Sequence, residues 1–130
     1  MTRKSFLTDK IIPPVCDSTE AKPSYLALAE YSLAGLFAIY AACKTDIFSR
    51  IVSTSDSLWF PGFEEYAKSH DFIKKPVCIY LSLGDIEAKA KNKVLATVQD
   101  KTESLFELYK SLEIPVIFEL NKGNHFTEAA

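Results

Sequence analysis

Three residue types that together perform nucleophilic catalysis stand at well-separated points of the chain: Ser32, Asp85 and His125. A serine hydroxyl is a poor nucleophile near neutral pH, and an imidazole within hydrogen-bond reach overcomes this by accepting its proton during attack. A carboxylate on the other ring nitrogen fixes the imidazole tautomer and stabilises the imidazolium that forms. We therefore predict acyl-transfer chemistry, with Ser32 as nucleophile, His125 as general base and Asp85 as the residue that orients it.

The local sequence around Ser32 is typical of a nucleophile elbow. A short apolar run at 25–29 precedes it and a longer apolar run at 33–43 follows it. In such an elbow the serine occupies a sharp, strained turn between a strand and a helix. The backbone N–H of Leu33, at the start of that helix, is the predicted oxyanion donor. Tyr31, Trp59 and Phe60 are candidates for a substrate pocket.

Each of these residues also has a simpler structural interpretation. Ser32 suits a helix N-cap, and Asp85 suits the cap of the next helix. His125 is compatible with an exposed loop, and Trp59 and Phe60 with packing over the core. The joint pattern favours catalysis, because the chain order Ser, Asp, His matches that of α/β hydrolases and differs from the two well-known serine-protease orders.

The elements that must position these residues are visible in the hydrophobic pattern. Apolar runs predict strands at 25–29, 50–54, 76–83 and 115–120, and helices at 33–44 and 93–112. An opening helix is expected to end or kink at Pro13 and Pro14. Continuous apolar strands alternating with helices predict a single α/β domain over 1–130, a three-layer α/β/α fold with a short, mostly parallel sheet of about four strands. The candidate residues follow strand carboxyl ends, where α/β folds place their sites.

Composition excludes several other functions. The net charge is −2 and the lysines are scattered, so neither a nucleic-acid nor a membrane partner is expected. The longest apolar run is much shorter than the ~20 residues that cross a bilayer. The N-terminus lacks a signal-peptide h-region, which predicts a cytoplasmic protein. Three cysteines without paired or clustered spacing predict reduced, partly buried thiols and no metal site.

Five blocks of sequence, in order, carry a resemblance to a known family. They are 31–41 (YSLAGLFAIYA), 44–46 (KTD), 57–63 (SLWFPGF), 82–85 (SLGD) and 123–126 (GNHF). Together they resemble esterases of the α/β-hydrolase superfamily, in the branch that includes siderophore (enterochelin-type) esterases. The resemblance implies a serine carboxylic-ester hydrolase that needs no cofactor and acts on a small-molecule ester, with Ser32, Asp85 and His125 at the triad positions. Family members are longer, and this chain resembles their C-terminal half.

Two acidic residues depart from the family pattern and support an alternative. Glu30 and Asp56 stand where the family favours glycine, so the chain is alternatively a catalytically impaired hydrolase-derived fragment. Because its nucleophile strand would lie at an open sheet edge, we expect a homo-oligomer or a partner chain. A third alternative is a binding module whose serine loop holds an anion at a helix N-terminus, although the chain has no glycine-rich phosphate loop.

Overall fold

The fold is a parallel α/β sheet with its connecting helices. A computed structural model describes residues 2–54, 58, 60–84 and 97–122. The helices are α1 (Arg3–Phe6), a π-helical turn (Leu7–Ile11), α2 (Ile12–Asp17), α3 (Leu33–Lys44), α4 (Phe63–Ser69) and α5 (Val98–Ser111). The strands are β1 (Ala27–Tyr31), β2 (Arg50–Thr54), β3 (Cys78–Gly84) and β4 (Val116–Asn121). They form one four-stranded parallel sheet in the order β1-β2-β3-β4, which confirms the predicted class.

The predicted elements agree with these bounds to within a few residues. The helix at 33–44 and the strand at 50–54 are confirmed as predicted. The first strand begins two residues later than predicted, because its pairing with β2 starts where Ala27 meets Arg50. The long helix is described from Val98 to Ser111, and residues 93–96 of the predicted span lie outside the described residues.

The helices that connect the strands cover one face of the sheet. Glu30, Ser53, Leu81 and Phe118 are in register across the four strands and therefore share a face. Gly35 of α3 lies against Ser53, and the ring of Phe106 in α5 lies 6.1 Å, centroid to centroid, from that of Phe118. Helix α4 packs against α5, so all three helices form a single layer.

The opposite face of the sheet is partly open in the described part of the chain. The residues in register across its middle are Ala29, Val52, Tyr80 and Ile117. Ala29 is exposed, Val52 and Tyr80 are half-buried, and Ile117 keeps 51% of its surface accessible. Parallel sheets are normally covered on both faces. The described residues thus supply two of the three layers that the sequence predicts.

The core lies between α3 and the centre of the sheet. Ala38, Ala41 and Ala42 on the buried side of α3 are almost completely inaccessible to solvent. Their small side chains let the helix approach β1 and β2 closely. Ile51 of β2 and its register partner Ile79 of β3 are also buried. This close packing fixes the position of the α3 N-terminus relative to the sheet.

The opening helix is distorted at its prolines and does not end there. Pro13 and Pro14 occupy the first turn of α2, where proline's missing N–H removes no intrahelical hydrogen bond. The π-helical turn directly precedes them, and helical structure continues to Asp17. Leu7 and Ile12 pack against the core, which ties this segment to the rest of the fold.

The cysteines are free, partly buried thiols, as their spacing predicts. Cys16, Cys43 and Cys78 are each half-buried and form no disulfide. Burial raises the pKa of the Cys43 thiol to about 11. Because the thiolate is the reactive form, Cys43 is a poor nucleophile at neutral pH. Within the described ranges, no helix has the length and apolar character needed to span a bilayer.

Candidate active site

The turn between β1 and α3 holds Ser32 in a strained backbone conformation. Ser32 has φ 59° and ψ −128°, a region that residues with a Cβ rarely adopt. Glu113, with φ 61°, is the other described non-glycine residue with positive φ. It follows α5, where a left-handed residue commonly ends a helix. Ser32 lacks that explanation, and a strained serine between a strand and a helix is the geometry of a nucleophile elbow.

Backbone hydrogen bonds to neighbouring elements hold this turn in place. The Ser32 N–H donates to the Thr54 carbonyl at the end of β2, 2.9 Å away, and the Gly35 N–H donates to the Ser32 carbonyl at 2.9 Å. The Thr54 hydroxyl donates to the Glu30 carbonyl at 3.3 Å. The strained residue is therefore constrained from both sides, which is how such conformations persist in folded proteins.

Gly35 allows the first turn of α3 to approach the sheet. A Cβ added at Gly35 would collide with the Ser53 hydroxyl oxygen and would lie 3.6 Å from the Glu30 carbonyl oxygen. Only glycine fits this contact without displacing its neighbours. Gly35 was recognised only as part of a matching sequence block, and Ser53 was not predicted as a site residue. The register of β2 places Ser53 beside Gly35, and the sequence does not specify that register.

The N-terminus of α3 offers a backbone donor beside Ser32. The Ser32 side chain makes no capping hydrogen bond to α3, so the geometry gives the N-cap interpretation no side-chain support. Leu33 is the first residue of the helix, and the first N–H groups of an α-helix have no acceptor within it. The Leu33 N–H is thus placed where an oxyanion donor is needed, one residue after the serine.

The carboxyl ends of the four parallel strands lie at one edge of the sheet. Tyr31 is in register with Thr54, and Gly84 is in register with Asn121. Asp85 directly follows Gly84 in the sequence and His125 follows Asn121 by four residues. At ~4.8 Å per strand, β3 and β4 are about 10 and 14 Å from β1.

Several predicted site residues lie outside the described residues: Asp85, His125 and Trp59, together with Asp56. Of the other pocket candidates, Tyr31 is 38% exposed at the end of β1, and Phe60 is 48% exposed. Leu33 and Phe60 line the same cavity, of about 230 Å³. The structure therefore brings Phe60 beside the start of α3. Sequence analysis did not foresee that α1 contributes Arg3 to that cavity.

Comparison with solved structures supports the fold. No family model matches the chain. No curated protein matches it either. Among solved structures, it is similar to the siderophore hydrolase EstB from Aspergillus nidulans, with a TM-score of 0.72 and 22% identity over 95% of this chain and 50% of that chain. The chain thus spans about half the length of EstB and shares with that hydrolase an α/β fold.

Proposed function

We propose that this chain is a cytoplasmic serine carboxylic-ester hydrolase with Ser32 as its nucleophile. The observation that carries the proposal is the positive φ of Ser32 at a strand-to-helix turn, because nucleophile elbows hold their serine in this way. The requirement for glycine at position 35 supports it, since the helix must pass close to the strand.

The proposed reaction is two-step acyl transfer. The Ser32 oxygen attacks the ester carbonyl carbon while His125 accepts the hydroxyl proton, and the Leu33 N–H stabilises the oxyanion. The intermediate collapses to an acyl-serine as His125 returns the proton to the departing alcohol oxygen. Water then attacks the acyl carbon and releases the carboxylic acid. Asp85 keeps the imidazole in the correct tautomer and orientation throughout.

The likeness to EstB supports this choice of substrate class. EstB is named a siderophore hydrolase, and we propose a small-molecule ester, of the siderophore-like kind, for this chain. Glu30 lies half-buried two residues before the serine, and a carboxylate near the developing oxyanion opposes its charge. We therefore expect slow turnover in comparison with esterases that have glycine there.

Labelling with a fluorophosphonate tests the proposal. We expect a mass increase located on Ser32 in the folded protein, lost in Ser32→Ala and strongly reduced in His125→Ala. Ser53→Ala is the matched control, because Ser53 is a buried serine on the neighbouring strand. Folded wild-type protein that remains unlabelled under conditions that label a known serine esterase would overturn the proposal.

A second candidate function is association through the open edge of the sheet. The Ser32 N–H donates to the Thr54 carbonyl at the end of β2, and the Leu26 carbonyl accepts from the N–H of Ser49, just before β2. These even-numbered residues therefore direct their backbone N–H and C=O groups toward β2. In a strand the intervening residues, Ala27 and Ala29, direct theirs the opposite way. Within the described part of the chain, β1 pairs with β2 alone, and an unpaired strand edge is a template for another strand.

The partly open second face of the sheet favours the same candidate. Ile117 and Tyr25 are 51% and 54% exposed, and the chain matches only 50% of the EstB chain. We propose a homo-oligomer, or a partner chain, that adds strands beside β1. Light scattering coupled to size exclusion at micromolar concentration tests this, and a stable monomer would contradict it.

A further inference from the structure

A groove between α1 and α3 begins beside the Ser32 turn. Its larger part has a volume of about 470 Å³ and is lined by α1 on one side and by Tyr40 and Lys44 of α3 on the other. Its smaller part, of about 230 Å³, shares Arg3 and Tyr40 with the first and continues to Leu33. The combined space falls in the size range of small-molecule sites.

Positive charge is concentrated in the larger part of the groove. Arg3, Lys4 and Lys44 line it, and no acidic residue among those that the structure describes does so. In the described part of the chain, the ion pairs involve Glu64 and none of these three cations. The Lys44 ammonium lies 5.6 Å from the centre of the Tyr40 ring, a contact that leaves it available to an anion. The whole chain is net negative, so this local excess of cations is specific to the groove.

The smaller part of the groove is apolar. Leu33 and Phe60 line it with 51% and 48% of their surfaces exposed, and Leu36 also contributes to the wall. Covering such surface with an apolar group is favourable, because it removes that surface from water. The apolar end is also the end nearest to Ser32, since Leu33 is the next residue.

The two ends are separated by most of the length of α3. Leu33 and Lys44 are the first and last residues of the helix, and at 1.5 Å per residue they lie about 16 Å apart along its axis. Arg3 borders both parts. A linear molecule with an apolar chain and a terminal anion therefore complements the groove in both length and charge.

We propose that this groove binds an amphipathic carboxylate, with its anionic group at Arg3, Lys4 and Lys44 and its apolar chain against Leu33 and Phe60. Binding of such an anion does not require esterase activity. A second statement rests on the proposed function: the ester substrate carries a terminal carboxylate that these cations hold while the ester bond lies at the serine.

Calorimetric titration with two probes of equal chain length tests the binding. We expect decanoate to bind about tenfold or more tightly than decyltrimethylammonium at low salt, because only the carboxylate pairs with the cations. Added sodium chloride should reduce this preference by screening. Equal affinity for the two probes would overturn the proposal.

Charge-removing variants locate the site. Arg3→Gln with Lys44→Gln should bring the two affinities to within about twofold of each other. Lys22→Gln with Lys74→Gln is the matched control, because both lysines are exposed and line neither cavity. Circular dichroism verifies that each variant is folded.

In wild-type protein, decanoate should also protect Lys4 and Lys44 from acetylation, and unchanged acetylation at saturation would contradict the site.

Ester hydrolysis tests the second statement separately. The Arg3→Gln, Lys44→Gln variant should lower about tenfold the ratio of kcat/KM on the mono-p-nitrophenyl ester of sebacic acid to kcat/KM on p-nitrophenyl decanoate, because only the first substrate carries a carboxylate. If the protein binds decanoate but fluorophosphonate does not label it, the proposed function is wrong and the proposed binding groove is supported. Labelling of Ser32 without any preference for decanoate would overturn the groove alone.

Discussion

At the scale of single residues, the backbone conformation of Ser32 costs folding free energy at the position that we propose for the nucleophile. A residue held in such a conformation costs on the order of 1–3 kcal/mol, and here the carbonyl of Thr54 and the N–H of Gly35 hold it. The Ser32 side chain makes no capping hydrogen bond to α3, so helix capping does not offset the free-energy cost of the strained backbone. Strain at a position that contributes little to the fold is expected where a residue is kept for function.

Substitution of Ser32 distinguishes a strained turn from an ordinary helix cap. We expect Ser32→Gly to be at least as stable as wild type and about 1 kcal/mol more stable than Ser32→Ala, because glycine alone adopts this conformation without strain. Urea unfolding measures both. At an ordinary N-cap both substitutions destabilise, so a Ser32→Gly variant clearly less stable than wild type would contradict the strained turn.

Gly35 and Ser53 form a pair that a double-mutant cycle can test. Gly35→Ala should destabilise by about 1–3 kcal/mol, because its methyl group collides with the Ser53 side chain. Ser53→Ala alone should change the free energy of unfolding little, since the buried Ser53 hydroxyl has no hydrogen-bond partner among the described residues. The double variant should recover most of the loss. Additive effects of the two substitutions would show that the contact is not the cause.

At the scale of elements, Glu64 joins α4 to α5. Its carboxylate accepts from Lys101 at 2.5 Å and Lys68 at 2.6 Å, and from the Ser104 hydroxyl at 2.8 Å. These partners, Lys101 foremost, lower the pKa of Glu64 to about 2. The contact holds together the two helices that connect β2 to β3 and β3 to β4.

Acid unfolding should therefore depend on Glu64. Because its pKa is lowered on folding, its contribution is complete above about pH 4.5 and is lost as the pH falls toward 2. Glu64→Gln should cost about 1–2 kcal/mol at pH 7, and the difference from wild type should shrink below pH 4.5. Glu107→Gln, at an exposed position on α5, is the control. A difference that stays constant down to pH 2 would contradict this role.

The sequence predicted most elements because each has a strong local pattern. The helix that follows Ser32 is apolar nearly all round and was predicted with its observed bounds. β1 was placed two residues early, since Tyr25 and Leu26 are as apolar as the strand and only pairing with Arg50 defines its start. The prolines predicted an end or a kink in the first helix. A π-helical turn precedes them, and the helix continues to Asp17 while Leu7 and Ile12 pack against the core.

At the scale of the whole molecule, the described residues cover the sheet on one face and leave β1 without a second neighbouring strand. Every strand connection described places its helix on the face that carries Ser53 and Phe118. We expect the exposed backbone of β1 to govern association.

Two substitutions at Ala29 test the edge. Ala29→Pro removes an N–H that points away from β2, so it should abolish association while leaving the β1–β2 pairing in place. Ala29→Val retains that N–H and suits a strand, so it should associate like wild type. Light scattering reports the mass of each variant. Equal masses for the two variants would exclude the β1 edge as the contact.

The sequence by itself determined the α/β class, the order of the elements and the position of Ser32 between a strand and a helix, because apolar periodicity and turn residues act over a few neighbouring positions. Tertiary structure alone decided the strain at Ser32, the contact of Gly35 with Ser53 and the groove shared by Arg3, Phe60 and Lys44. These features join segments that are distant in the chain. Their geometry depends on strand register and helix packing, which a local pattern does not specify.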